Sequence, residues 1–266
     1  MSKKVFIGVG HGGSDPGAVS YIKEANANLT MAFACKEVLE ANGVQVKMSR
    51  TKDENDTLNE EIRECNAYSP DLAIDIHNNA GGGDGFEVYH SIGGGVGKTL
   101  AINIESEIKA MGQNSRGVKT RKNSSGGDYY GFIRQTKCPA VIVEGVFVDN
   151  ATDVKIADTI AEQREFGKAY ARGILKTLGV AINTTTTVPS GGSTSSGFAA
   201  YKVKVVCSAL NIRKTPNWSA SDVVGVIKDK GVYTIVAEKT LDGTKFGKLK
   251  SGAGWISLGS KYVKRI

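Results

Sequence analysis

The sequence has few of the features that mark a membrane protein, a disulfide-rich domain or a thiol enzyme. No apolar run approaches the roughly 20 residues that a membrane-spanning helix needs. The four cysteines show no CxxC spacing, and Cys35 and Cys65 fall on predicted helix faces, where buried, reduced thiols are expected. A cysteine zinc site and a catalytic cysteine are therefore disfavoured. The N-terminal apolar segment is too short for a signal peptide, so we expect synthesis in the cytoplasm without an export signal.

Excess positive charge is missing from the first three quarters of the chain. Residues 201–266 carry 13 Lys+Arg against 4 Asp+Glu, a net charge of +9, whereas residues 1–200 carry a net charge of −2. A basic region suits a polyanion such as nucleic acid, an anionic membrane or a wall polymer, and a merely solubilising surface is the alternative. Nucleic acid is disfavoured because aromatic and basic residues do not interleave along a strand as a stacking platform requires.

The hydrophobic pattern divides the chain into two predicted domains and a linker. In residues 1–182, apolar strand-like runs alternate with amphipathic helices, which predicts an α/β domain with a mostly parallel twisted sheet and helices on both faces. Residues 183–200 are uncharged and rich in Thr, Ser and Gly, so we expect a flexible linker. From residue 201 to 266 the pattern changes to short strands and turns, which predicts a small all-β barrel.

Local signals place individual elements within these domains. Thr57 and Glu60 form a capping-box pattern that predicts the start of a helix. Residues 114–137 are polar and rich in Gly and Ser, which predicts a long loop over a site. The predicted strands are residues 5–9, 44–48, 72–79, 86–90 and 139–148 in the first domain, and 203–206, 210–213, 223–227, 232–237 and 254–257 in the second.

Three chemically reactive side chains lie where predicted buried strands end. The first strand is followed by His11, the strand from residue 72 reaches His77, and the last strand of the first domain carries Glu144. In an open α/β sheet, ligands gather at the carboxyl ends of the strands. Any one of these residues alone would more often be a satisfied structural group, but three strand ends together indicate one site.

The residue types at this site suit a zinc hydrolase. Such an enzyme needs about three nitrogen or oxygen ligands and an open position for water, and His11, Glu24 and His77 can supply two imidazoles and a carboxylate. A separate carboxylate must move the proton of the attacking water, and Glu144 is the candidate because burial would raise its pKa. Glu24 could alternatively be a helix N-terminal carboxylate that the helix dipole favours.

Several segments together resemble the zinc-dependent N-acetylmuramoyl-L-alanine amidases over about residues 3–179. They are Val-Gly-His11-Gly-Gly, Lys-Glu24-Ala-Asn, Asp-Ile-His77-Asn-Asn79-Ala, Gly85-Phe-Glu-Val-Tyr, and the strand from Pro139 through Glu144 to Asn150. The resemblance implies one zinc ion on His11, Glu24 and His77, with Glu144 as the catalytic base. It implies cleavage of the amide between the lactyl group of N-acetylmuramic acid and L-alanine in peptidoglycan.

The same resemblance suggests substrate contacts. Residues 121–132 are similar to a family segment that flanks the substrate groove, which makes Tyr129 and Tyr130 candidate contacts. Asn79 stands where the family also tends to have asparagine, and it is the third candidate.

Three short blocks near the C-terminus resemble bacterial SH3-like cell-wall-binding modules. They are Ala209-Leu-Asn-Ile-Arg213-Lys-Thr-Pro, Val226-Ile-Lys-Asp-Lys-Gly231 and Gly254-Trp255-Ile-Ser. Together with the net charge of +9, these blocks favour a wall-binding domain over residues 201–266 that contacts peptidoglycan or an anionic wall polymer.

The sequence therefore predicts a two-domain peptidoglycan amidase. The expected absence of an export signal fits a phage or prophage endolysin that reaches the wall of Gram-positive bacteria once the membrane is breached. A host autolysin or sporulation amidase is the biological alternative. A zinc peptidase or deacetylase acting on peptidoglycan and a non-catalytic wall-binding protein are the alternatives of other classes. The presence of Glu144 with all three candidate ligands argues against a binding protein.

Overall fold

The computed structural model describes residues 2–182, 200–218, 222–241 and 244–266. The chain divides into two compact units, Met1–Thr184 and Thr185–Ile266. The predicted linker at 183–200 lies outside the described residues except for residue 200. In the described part of the chain, every helix is too short or too polar to cross a membrane.

The first unit is built on a six-stranded mixed sheet with the strand order β2-β1-β3-β6-β4-β5. Neighbouring strands are parallel in four of the five pairs, and only β4 runs antiparallel to its neighbour β6. The prediction of a mostly parallel sheet is therefore confirmed, with one antiparallel pair that was not foreseen. The strands are β1 (Lys4–Val9), β2 (Gln45–Met48), β3 (Leu72–Asn79), β4 (Phe86–His90), β5 (Ser115–Lys119) and β6 (Ala140–Phe147).

Helices cover both faces of this sheet, as predicted. They are α1 (Glu24–Ala41), α2 (Leu58–Tyr68), α3 (Gly95–Ala110), α4 (Gly131–Gln135) and α5 (Ile160–Leu178), with a 3₁₀ turn at Asp153–Ile156. The predicted capping box of Thr57 and Glu60 begins α2. The larger apolar core joins α1, α3 and α5 to one face of the sheet, and a smaller core joins α2 and α4 to the other.

Alternation along β3 decides which side chains reach the site. Ile74 and Ile76 are fully buried in the larger core. Since successive side chains of a strand point to opposite faces, Asp75 and His77 point to the face that α2 and α4 cover. The polar residues of β3 therefore gather on the face with the smaller apolar core.

The prediction of a long loop over residues 114–137 is wrong in part, because this segment contains β5 and α4. Val118 pairs with Val88 and thereby extends the sheet. Phe132 and Ile133 of α4 are buried in the smaller core. These few apolar residues gain their structure from contacts with distant parts of the chain, which the polar local sequence does not reveal.

The second unit is a seven-stranded antiparallel sheet with the order β13-β7-β10-β11-β12-β8-β9, so the all-β prediction is confirmed. Its buried interior includes Val205, Ile235, Phe246 and Ile256. β11 and β13 were not predicted, because the first has a largely polar sequence and the second has only three residues. The strands are β7 (Tyr201–Val205), β8 (Leu210–Arg213), β9 (Val223–Ile227), β10 (Val232–Leu241), β11 (Thr244–Leu249), β12 (Trp255–Ser257) and β13 (Val263–Arg265).

Candidate active site

The carboxyl ends of β1, β3 and β6 meet at one edge of the sheet, because these three neighbouring strands are parallel. His77 of β3 lies in direct register with Glu144 of β6. His11 follows β1 by two residues, and Glu24 is the first residue of α1. The four residues that the sequence singled out are thus brought together.

His11, Glu24 and His77 form a compact group of possible metal ligands. One ligand atom from each side chain lies within 4.8 Å of the others. The Glu24 Oε1 atom is 3.2 Å from His11 Nε2 and 3.2 Å from His77 Nδ1. Two imidazoles and one carboxylate are a donor set that zinc accepts in catalytic sites, where a fourth position stays open.

The Glu24 carboxylate is buried but fully supported by hydrogen bonds. Its Oε2 atom accepts a hydrogen bond from the backbone N–H of Ala18, and its Oε1 atom accepts one from the backbone N–H of Asn78. Burial raises the pKa of Glu24, but the contacts with His11 and His77 outweigh it and hold the pKa well below its ordinary value. Glu24 is therefore ionised and ready to serve as a ligand.

The loop after β1 holds His11 in an unusual backbone conformation. His11 has a φ of 63°, a region that non-glycine residues rarely adopt, and its Nδ1 atom lies 2.8 Å from Asp15 Oδ2. The buried Arg50 guanidinium donates to the backbone carbonyls of Val9 and Gly10, which fixes the start of the loop. Such local strain, held by surrounding contacts, is typical of functional sites.

A second carboxylate orients the other imidazole. Asp75 Oδ2 lies 3.4 Å from His77 Nε2, on the side of the ring away from the Nδ1 atom that faces Glu24. This carboxylate–histidine arrangement is a common support of zinc ligands. Sequence reasoning missed Asp75, although its position two residues before His77 on a strand places both on one face.

Glu144 is a half-buried carboxyl group next to the three possible ligands. Burial raises its pKa to about 7, and the charge of His77 opposes this rise only in part. Its Oε2 atom is buried without a hydrogen-bond partner among the described residues. A carboxyl group with these properties can accept and release a proton near neutral pH.

A cavity of about 280 Å³ opens between this edge of the sheet and the helices α2 and α4. In the described part of the chain, four buried side-chain oxygens lack a hydrogen-bond partner, and all four belong to residues that line this cavity: Asp56, Glu61, Asp75 and Glu144. Burial raises the pKa of Glu61 well above its ordinary value, and the neighbouring Asp75 adds to the rise. This acidic wall, apart from Glu144, was not predicted from the sequence.

The three candidate substrate contacts lie at different distances from the cavity. Tyr130 lines it, and Tyr129 packs edge-on against Tyr130 with a centroid separation of 5.1 Å. Arg121 stacks over the Tyr129 ring at 3.7 Å. Asn79 lies beyond the cavity and donates to Glu87. The structure thus places one of the three candidates in the cavity wall and the other two beside it.

The chain is similar to several cell-wall amidases and to an endolysin. The chain is 32% identical to an endolysin of Bacillus phage SPP1, with 99% of this chain and 98% of the phage protein aligned. It is 34% identical to a sporulation-specific N-acetylmuramoyl-L-alanine amidase of Bacillus subtilis over 78% of each protein. The solved catalytic domain of CwlV, an N-acetylmuramoyl-L-alanine amidase from Bacillus (Paenibacillus) polymyxa var. colistinus, matches 67% of this chain and 99% of that domain, with a TM-score of 0.61 and 26% identity. Residues 5–176 match the N-acetylmuramoyl-L-alanine amidase family, and since that match spans more than half of the sequence, the chain belongs to this family of peptidoglycan-hydrolysing enzymes.

Proposed function

We propose that this amidase works with one zinc ion held by His11, Glu24 and His77, and with Glu144 as its general base. The substrate bond is the amide between the lactyl group of N-acetylmuramic acid and L-alanine. The observation that carries the proposal is the set of three ligand atoms within 4.8 Å of one another, next to Glu144, whose Oε2 atom is buried. Zinc, when bound there, would activate a water molecule and polarise the scissile carbonyl.

Glu144 would move the proton in both halves of the reaction. As a carboxylate it takes a proton from the attacking water, and as a carboxylic acid it gives that proton to the nitrogen of L-alanine as the amide bond breaks. In the metal-free protein, burial raises the pKa of Glu144 to about 7, and a carboxyl group with a raised pKa is suited to accept and then release a proton.

The substrate would lie along the cavity, with Tyr130 in its wall and Tyr129 and Asn79 at its margins. Aromatic rings offer flat apolar surfaces with polar tips, which suit the mixed character of a glycopeptide. The Tyr129–Tyr130 pair and the stacked Arg121 form a continuous surface beside the cavity.

The biological role we favour is that of a phage or prophage endolysin, synthesised in the cytoplasm and acting on the wall after release. The supporting observation is that the similarity to the phage endolysin extends over 99% of this chain. A sporulation amidase of the host is the second candidate, supported by the 34% identity to the sporulation-specific amidase over 78% of the chain.

The second unit would serve as an SH3-like wall-binding domain. We propose domain boundaries at residues 1–182 for catalysis and 201–266 for binding, joined by a linker at 183–200. The support is the antiparallel all-β architecture together with a net charge of +9 in residues 201–266. Anionic wall polymers or the carboxylates of peptidoglycan would be its partners.

Replacing Glu144 separates catalysis from metal binding. We expect Glu144→Gln to retain the fold and bound zinc but to lower kcat at least about 100-fold, because the amide cannot accept the proton. His77→Ala is the matched comparison and should lose the metal as well as activity. Metal binding is read from the zinc content by mass spectrometry. Activity is read from the release of new alanine amino termini from peptidoglycan. Full activity of Glu144→Gln would exclude Glu144 as the base.

Gly10→Ala tests the metal centre through packing alone. A Cβ atom at Gly10 would lie 2.1–2.5 Å from ring atoms of His77, so the ring must shift from its place beside Glu24. We expect zinc affinity, measured by calorimetric titration of the metal-free protein, to fall about 10- to 100-fold. Gly93→Ala is the control, because its nearest neighbour, Ser91 Oγ, lies 3.5 Å away. Unchanged affinity in Gly10→Ala would contradict the assigned role of His77.

Wall binding should depend on salt if charge attracts the second unit. With full-length Glu144→Gln protein, we expect retention on purified Gram-positive walls to weaken as salt increases, because counterions screen exposed charges. The double change Lys228→Gln and Lys230→Gln should weaken retention severalfold more than the same changes at Lys98 and Lys122 in the first unit. Equal effects of the two pairs, or binding that does not depend on salt, would argue against a charge-driven wall domain.

A further inference from the structure

A buried carboxylate, Glu87, lies beside Glu144 on the neighbouring strand, and the proposed mechanism does not use it. Glu87 of β4 is in direct antiparallel register with Glu144 of β6. Residues directly opposite each other in an antiparallel pair point to the same face of the sheet, with Cβ atoms about 5 Å apart. Glu87 therefore belongs to the face of the sheet that carries the catalytic residues.

Glu87 forms ion pairs with two basic residues of β5, Arg116 and Lys119. Its Oε1 atom accepts hydrogen bonds from Arg116 Nε and, at 2.7 Å, from Lys119 Nζ. Its Oε2 atom accepts from Tyr89 Oη at 2.8 Å. Burial raises the pKa of Glu87, but the contacts with Lys119 and Arg116 outweigh it and lower the pKa below its ordinary value. The group of Glu87, Arg116 and Lys119 thus has a net charge of +1.

The cations of this group face the solvent, whereas the anion does not. The side chains of Arg116 and Lys119 are 43% and 31% exposed, and that of Glu87 is 6% exposed. The terminal nitrogens of Arg116 make no hydrogen bond to any described residue, and its guanidinium packs over the Phe147 ring at 5.2 Å. Donors on both cations are therefore available to a bound anion while Glu87 fixes their positions.

Charge differs sharply between the two sides of the catalytic residues. On the metal side, the cavity is lined by the carboxyl groups of Asp15, Asp56, Glu61 and Asp75. The β5 side presents Arg116 and Lys119. Among the described residues, the lining of the cavity includes no lysine or arginine, so a substrate carboxylate finds its cationic partners on the β5 side.

We propose that Arg116 and Lys119 form an anion subsite for the free α-carboxylate of the acidic residue that follows L-alanine in the peptidoglycan stem peptide. This assignment rests on the proposed function. An extended chain advances about 3.3–3.6 Å per residue, and neighbouring strands are about 4.8 Å apart. A carboxylate one residue beyond the scissile amide therefore reaches the row of Glu87 when that amide lies at Glu144. The subsite would select stem peptides with a free carboxylate over those with an amidated one.

The test compares two soluble substrates that differ in a single group. Both are disaccharides that carry L-alanyl-γ-D-glutamyl-L-lysinamide, with the glutamyl α-group present as carboxylate or as carboxamide. We expect the wild-type enzyme to show a KM about 10-fold lower for the carboxylate, since hydrogen bonds to charged groups are roughly twice as strong as neutral ones. kcat should be similar for both, because the chemistry at the scissile amide is unchanged.

The variants assign this preference to the two cations. Arg116→Gln combined with Lys119→Gln should raise KM for the carboxylate substrate to the value for the carboxamide and leave kcat within about twofold. Lys122→Gln is the control and should retain the preference. An equal loss with both substrates would show a purely structural ion pair and overturn the proposal.

Measurements on the wild-type enzyme alone distinguish a failure of the anion subsite from a failure of the proposed amidase function. Equal KM values for the two substrates would overturn the anion subsite while leaving the amidase assignment intact. Cleavage of neither substrate at the lactyl amide, with walls also left intact, would instead overturn the proposed function. The wild-type comparison keeps the proposal open to refutation even if the double variant fails to fold.

Discussion

The parallel pairing of β1, β3 and β6 is the constraint on which the catalytic unit depends. It brings three strand ends to one edge of the sheet and sets His77 in register with Glu144. Glu24 can then be buried at little cost, because both imidazoles and two backbone N–H groups surround its carboxylate. A shift of one residue in the register of β3 and β6 would move either His77 or Glu144 to the opposite face of the sheet. The two side chains would then no longer lie in one site.

The same alternation explains how much of the site could be predicted from the sequence. His11, His77 and Glu144 were predictable because each follows or ends an apolar run whose direction in an α/β sheet is nearly fixed. Asp75 and Glu87 could not be predicted as site residues. The neighbours of a polar residue within a strand are known only once the strand order and register are known. Likewise, β5 is stabilised by pairing with β4, and α4 by packing in the smaller core. These contacts are made with residues far away in the sequence, so the polar local sequence of β5 and α4 does not predict them.

Charge gives the chain two separate levels of organisation. At the active site, carboxyl groups line the cavity beside the candidate metal ligands, and Arg116 and Lys119 lie on the β5 side, where the proposed anion subsite would orient a charged peptide. Over the whole chain, the positive excess is confined to residues 201–266, which suits attraction to an anionic wall. As proposed, the first arrangement would act over a few ångströms and orient the stem peptide. The second would raise the concentration of enzyme at the polymer.

The most direct test of the central claim is a digestion of purified Gram-positive peptidoglycan with and without a metal chelator. New amino groups and new reducing sugar ends are counted, and the freed amino terminus is identified. We expect alanine to be the only new amino terminus, no new reducing ends, loss of activity with chelator and recovery on addition of zinc. A different amino terminus, or undiminished release after the chelator has removed the metal, would contradict the account.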